Sequence, residues 1–386
     1  VNRIDLDEIG ATTCDLDDAS AATLSDSKLV KLKKLHNGQW EVRANQKVGV
    51  ARVAGIEIRI NPKLDISRLF FMMSYYTKTI NWRDEDVVVA QADDLVTTMA
   101  MVFERQAARA LSLGALQGYN SIDNTSAVMR GKLRLPEQMR RHYGRTMPLE
   151  VTYDEFTFDI PENQLLLAAT VRLLRLRRLP KKTYRQLRRI IEQLVGVRLL
   201  KPHEPIPQCP LTRLNKRYEH ALHLARLVLH GSSAELGETD VSVSGFLLTM
   251  HRIFEDFVCA ALTEELIKYR GYTDTQQDIY LDEGNQVTVT PDLVWRAGPE
   301  RTLAVVDAKY YVEMDNDHLK QMLTYCTVLN AKRGHLVYAK KSGHETRHTI
   351  RSAGVEIVQH GLDLHTSRSD LLAQIHHLGQ RIADDL

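Results

Sequence analysis

Alternation of apolar and polar positions dominates the chain from Gln39 to Leu64. The runs WEVRA, VGVARV and IEIRINP each put every second side chain on one face, and turn signals such as Ala54-Gly55 separate them. This pattern predicts a β-rich N-terminal module. Helical periodicity follows from Ile66 to about Thr79 and again from Asp93 to about Leu113, where Asp93 can cap the first turn. Ala127–Leu133 and Leu149–Asp159 read as extended. Pro161 then stands at a first-turn position before helical spacing, and Pro180 separates that helix from a second over Lys182–Val195. Four prolines between Lys201 and Pro210 exclude regular structure there. A helix over Leu214–Leu229 and a polar linker at 230–245 complete the middle of the chain.

The last third has a different rhythm. The pattern predicts a long helix over Phe246–Tyr269 and strands near Gln276–Leu281, Gln286–Trp295 and Thr302–Tyr310. A helix over Asp317–Asn330, strands at Gly334–Tyr338 and Val355–His360, and a terminal helix over Asp370–Ile382 follow. That order gives an α/β domain with a central mixed sheet, in a chain that is α+β as a whole. Three segments result: a β-rich module over 1–65, a mixed and largely helical region over 66–235, and an α/β domain over 236–386.

With 386 residues, two or three domains are expected. The net charge of +2 does not announce nucleic acid, but the charge is uneven. Residues 1–28 are acid-rich, whereas no acid occurs from Asn163 to Ile191, a stretch holding nine Lys and Arg residues that include Arg185 and Arg189. Those two arginines are candidate contacts to DNA phosphates; a protein-facing or solvated role is the alternative. Four scattered cysteines without a CxxC pair argue against disulfides and structural zinc. The apolar runs are too short for a membrane span and no basic-then-apolar leader opens the sequence, so a cytoplasmic protein is expected. HExxH, GxSxG and the phosphate-binding GxxxxGK[ST] are all absent, so any nucleotide hydrolysis must come from a partner.

One segment carries chemistry: VTVTPDLVWRAGPERTLAVVDAKYY. Asp307 and Lys309, separated by one residue, share a face of a strand whose preceding LAVV is apolar on both faces. A carboxylate emerging from such burial needs a cation or a metal. Asp292, on the neighbouring extended run, can complete a carboxylate pair suited to Mg²⁺, with Mn²⁺ as the alternative. Such a metal activates water and stabilises charge on a phosphoryl centre, with Lys309 orienting the nucleophile. Glu255, in the preceding helix, is a third candidate ligand or an ordinary helix glutamate. Gln321 and Tyr325 lie one helical turn apart and share a face, as site or DNA contacts or as packing residues. Tyr310 and Tyr311 are read the same way, with packing favoured.

The set Pro291-Asp292, Asp307-Ala308-Lys309 and Gln321–Tyr325 resembles the PD-(D/E)xK nuclease superfamily with its QxxxY extension. VVDAKYY, RGKLRL, YDEFTFDIPENQLLLAATVRLL and IEIRINPKL are similar to segments of McrC, the endonuclease subunits of McrBC-type modification-dependent restriction systems. The resemblance implies a restriction-endonuclease-like C-terminal domain that cuts DNA with Mg²⁺. It also implies an AAA+ GTPase partner, McrB-like, engaged by the N-terminal part and stimulated by it. Cutting both strands of double-stranded DNA with one site per chain implies two nuclease subunits acting together. A partner-independent repair nuclease and a non-catalytic adaptor are the competing functions. Alanine at Asp307 or Lys309 is expected to abolish cleavage and leave the fold intact.

Overall fold

The computed structural model describes residues 3–53, 55–75, 95–143, 145–176, 179–201, 204–233, 244–299, 301–310, 315–340 and 345–384. The Asp93 cap, the end of the helix beyond Tyr75, Arg177, Arg178, linker residues 234–243 and Tyr311 lie outside them. The chain divides into two units, one formed by Val1–Val89 with Leu236–Leu386 and the other by Ala90–Glu235. This differs from the three consecutive segments read from the sequence: the N-terminal module shares a unit with the C-terminal α/β domain.

The reason lies in one strand. Ser244–Thr249 pairs antiparallel with Lys47–Val53 and completes a four-stranded sheet, in the order Arg3–Asp7, Ile56–Asn61, Lys47–Val53, Ser244–Thr249. The sequence reading places Phe246–Thr249 in a helix, but that helix begins only at Met250. A short apolar run such as Phe246-Leu247-Leu248 does not by itself distinguish a buried strand from a helix turn, and pairing to a sheet edge decides it. Gly49 permits the pairing. Its φ of 125° suits glycine, and a Cβ there would collide with the Phe246 carbonyl.

Strand alternation in this sheet is clean, with Ile56, Ile58 and Ile60 buried between half-buried neighbours. The acid-rich N-terminus, to which no element is assigned from sequence, also folds. Thr12–Cys14, Trp40–Ala44 and Val30–Lys34 form a three-stranded sheet, and the helix Asp18–Asp26 is capped by Asp17, whose carboxylate accepts from the Ser20 N–H at 3.0 Å.

The second part of this unit is a six-stranded mixed sheet, in the order Tyr272–Thr275, Leu293–Gly298, Arg301–Lys309, Arg333–Tyr338, Glu356–Gly361, Thr346–Thr349. The strand Arg301–Lys309 is interior, antiparallel to Leu293–Gly298 and parallel to Arg333–Tyr338. Ala304, Val305 and Val306 are consecutive and all buried, so both faces of its middle are covered, as its LAVV run requires. The helix Asn316–Val328 buries Met322, Tyr325 and Cys326 against Val305, Leu336 and Ile357 of the sheet. Its approach depends on Gly334, where a Cβ would collide with Met322 and lie 2.8 Å from Cys326 Sγ. Gly334→Ala is expected to cost about 1–3 kcal/mol by overpacking; a lowered midpoint in urea unfolding with an unchanged slope is the check.

In the other unit, the helices Leu95–Ala110, Pro161–Leu174, Lys181–Gln193 and Glu219–Ser233 pack together beside a sheet of Gly118–Ser126, Leu149–Thr157 and Lys132–Leu133. Pro161 occupies the first turn of its helix, as expected. Among the described residues no helix is long and apolar enough to cross a membrane, and all four cysteines are free thiols.

Candidate active site

Asp307 and Lys309 leave the sheet on one face at the C-terminal end of their strand, and Lys309 Nζ lies 2.6 Å from Asp307 Oδ2. The Asp307 side chain is only 3% exposed and that of Lys309 14%. Asp292 stands immediately before Leu293–Gly298, and Leu293 is registered with Val306. This places Asp292 beside the Asp307 strand. Its Oδ2 accepts from the Ala308 N–H at 2.8 Å and its Oδ1 from Gln276 Nε2 at 3.1 Å. Its backbone carbonyl accepts from the Gln276 N–H at 3.1 Å and from the Cys259 thiol at 3.3 Å. The turn bearing Asp292 is thus pinned from three elements.

The electrostatics are those of a site short of positive charge. Burial, reinforced by the negative charge of Asp307, pushes the Asp292 carboxyl up to about 8. Burial also raises Asp307, against the opposing pull of Lys309. Burial works against the Lys309 ammonium, but Asp307, Asp292 and Glu255 outweigh it and hold its pKa above the usual lysine value. Glu255 is half-buried on the helix Met250–Leu266; burial raises its carboxyl, Lys309 draws it down, and Asp307 raises it again. The structure therefore brings Asp292, Asp307, Lys309 and Glu255 into one electrostatic neighbourhood.

Gln321 and Tyr325 also come together. Gln321 Nε2 donates to the Tyr325 hydroxyl at 2.7 Å, and that hydroxyl donates to the Thr290 carbonyl at 3.3 Å. Tyr325 is buried. It is a core residue that braces the segment leading into Asp292, rather than a surface open to DNA. Gln321 is the exposed member of the pair. Tyr310 is likewise a packing residue, 5.9 Å from Phe254 between ring centres. Arg185 and Arg189 belong to the other unit, on the exposed side of a helix whose Thr183, Leu187 and Ile190 are buried.

Three neighbours of the site were not legible in the sequence. Gln276 follows a strand with φ of 52°, a left-handed conformation that turns its amide to Asp292. His251 is half-buried one turn before Glu255, its basicity lowered by burial and by the charge of Lys309. His318 contacts the Tyr338 hydroxyl at 3.2 Å, and Tyr338 is registered with Lys309 on the next strand. None of the three has a spacing signal.

Among the described residues no three His, Cys, Asp or Glu side chains form a preformed metal cage. Mg²⁺ does not need one, since it keeps several waters and takes one or two carboxylates. Asp292 and Asp307 fit that demand: both are buried, the charge of Asp307 adds to the burial that raises Asp292, and among the described residues Asp307 Oδ2 has no hydrogen-bond donor besides its ion pair with Lys309.

A family described as McrBC 5-methylcytosine restriction system component matches residues 42–339. The chain belongs to this McrBC family. Most of its length is covered, including Asp292, Asp307, Lys309, Gln321 and Tyr325. No curated protein matches it. Among solved structures it is similar to a chain of the refined half-complex from a tetradecameric assembly of Thermococcus gammatolerans McrB AAA+ hexamers with bound McrC, at 18% identity and a TM-score of 0.60. That match covers 98% of this chain and 100% of the other. A chain of the cryo-EM structure of the Thermococcus gammatolerans McrBC complex is 19% identical, with a TM-score of 0.41, 70% of this chain covered and 89% of that one. The resemblance to McrBC systems and the mixed α/β class read from the sequence both hold.

Proposed function

We propose that this McrBC-family chain is the endonuclease subunit of a modification-dependent restriction complex. It cuts phosphodiester bonds of methylated double-stranded DNA in the cytoplasm, with Mg²⁺ and an AAA+ GTPase ring that it binds and stimulates. The observation that carries the reading is the buried Asp292–Asp307 pair beside Lys309 at the end of an interior strand.

Asp292 and Asp307 would hold the ion, with Glu255 reaching it directly or through water. A bound Mg²⁺ or Mn²⁺ would supply Lewis-acid activation of water and offset charge on the phosphoryl group. Asp292 is kept in one orientation by the Ala308 N–H and Gln276, so its free lone pairs have a fixed direction. Lys309 stays charged beside Asp307, where it can donate to the attacking water or to a phosphate oxygen. Nothing in the sequence supplies a phosphate-binding loop, so nucleotide hydrolysis falls to the partner. One such centre per chain serves one strand, so a double-strand break calls for two nuclease subunits.

Methylated and unmethylated plasmids, incubated with this chain, its AAA+ partner, GTP and Mg²⁺, test the reading. Cleavage of methylated DNA that needs partner, nucleotide and metal is expected. Cutting by the chain alone, indifferent to nucleotide, would replace it with a repair-type nuclease.

A further inference from the structure

The helix Lys181–Gln193 buries Thr183, Leu187 and Ile190 and leaves Lys181, Arg185, Arg188 and Arg189 exposed. Among the described residues none of these four makes an ion pair. Arg185 Nε donates to the Lys181 carbonyl at 3.3 Å and Arg189 Nη1 to Gln186 Oε1 at 3.3 Å, so both guanidiniums turn to neutral oxygens of their own helix. Lys182 differs. Burial raises the Glu104 carboxyl on Leu95–Ala110, and Arg105 and Lys182 draw it back, so Lys182 already has an acid to face. Glu192, near the far end, is the one acid within the helix.

Helix stability alone disfavours such a face. The first turn of a helix prefers acids, and here it holds Lys181 and Lys182 and no acid. Lys181 and Arg185, and again Arg185 and Arg189, are like charges four residues apart, the spacing at which they repel. A face that is merely solvated mixes the two signs, whereas this one keeps a single sign from Lys181 to Arg189. Its one exposed large apolar group is the Tyr184 ring. A protein interface is built on an apolar centre, but phosphates take charge-assisted bonds from guanidinium forks and need no apolar surface. At 1.5 Å per residue the four cations span about 12 Å. A DNA duplex carries one negative charge per about 1.7 Å of axis, so several phosphates meet such a face.

We propose that Lys181, Arg185, Arg188 and Arg189 bind the phosphate backbone of the DNA substrate, which gives the unit Ala90–Glu235 a DNA-holding surface of its own. The inference rests on the nuclease reading above, from which the substrate is taken. Phosphate contacts carry no sequence information. This surface therefore holds methylated and unmethylated duplexes alike.

The test is DNA binding by the full chain with its native aspartates, in EDTA so that nothing is cut, followed by fluorescence anisotropy of a labelled duplex between about 50 and 200 mM KCl. Changing Arg185, Arg188 and Arg189 together to Gln is expected to flatten the slope of log affinity against log salt by roughly 2 to 3, and to weaken binding at least about tenfold at about 100 mM salt. Arg185→Gln alone is expected to flatten it by roughly 1. The three arginines changed to Lys keep the charge and are expected to keep most of the slope. All three positions are exposed, so the thermal midpoint of the Gln variant should match or exceed that of the native chain. An affinity and slope equal to the native chain's overturn the proposal, as does a native chain that does not bind the duplex. Unchanged DNA binding with lost stimulation of the AAA+ partner also overturns it, and assigns the face to that protein. Failure of the nuclease reading is read separately, as absence of Mg²⁺-dependent cleavage by the native chain with its partner and nucleotide.

Discussion

Lys309→Ala and Asp307→Ala are each expected to abolish cleavage and also to lower stability. On the proposed reading the activity loss is expected to be on the order of 10²–10³-fold or more, since Lys309→Ala removes a cation beside the reacting phosphate and Asp307→Ala removes a carboxylate that would hold the metal. The sequence alone suggests that such variants leave the fold intact; the geometry revises this. Both partners of the pair are buried at a separation of 2.6 Å. Removing one partner of a buried ion pair costs about 3–5 kcal/mol, because the other is left uncompensated. A single variant therefore confounds folding with chemistry. Asp307→Asn combined with Lys309→Met deletes both charges and keeps most of the volume. It is expected to recover much of the lost thermal stability while remaining inactive and still accelerating nucleotide turnover by the AAA+ partner. Native stability with loss of both cleavage and stimulation in that double variant would assign the pair to partner coupling instead of phosphodiester chemistry.

The site was legible where spacing encodes geometry. Alternation along a strand puts Asp307 and Lys309 on one face whatever the rest of the fold does, and a helical turn does the same for Gln321 and Tyr325. The apolar LAVV run announced an interior strand because only double-sided burial tolerates it. What stayed hidden depends on contacts between distant segments. Gln276 reaches Asp292 through a left-handed backbone turn, and neither residue type nor separation signals that. Ser244–Thr249 became a strand because an edge of the N-terminal sheet, almost two hundred residues earlier, needed a partner. The same pairing moved the N-terminal residues into the unit that holds Asp292, Asp307 and Lys309, a link no local pattern contains. The polar faces of Arg3–Asp7 and Thr12–Cys14 masked short strands whose stability comes from neighbours rather than from their own alternation.

Asp292→Asn is expected to stabilise the metal-free protein while eliminating cleavage, and the gain grows with pH. An ordinary aspartate in the unfolded chain releases its proton near 3.8, whereas the folded Asp292 holds it to about 8. Across that window the folded state binds a proton that the unfolded state has lost, so stability falls as pH rises and levels off above about 8. The penalty belongs to the Asp292–Asp307 pair, since burial raises both carboxyls and the charge of Asp307 raises Asp292 further. It amounts to about 1 kcal/mol per pH unit at most within the window. Asparagine carries no such charge, and its side-chain oxygen can still accept from the Ala308 N–H while the Gln276 amide turns over to accept from its NH₂. Thermal unfolding of parent and variant at pH 5, 7 and 8.5 without metal should show the difference opening with pH. Adding Mg²⁺ should then raise the parent's midpoint, because an ion that binds only the folded state shifts the equilibrium toward it. The asparagine protein should respond far less. Equal midpoints across the pH range, with no response of the parent to Mg²⁺, would mean that Ala308, Gln276 and Lys309 already satisfy the two carboxylates, and the metal-centre reading of this site would fall.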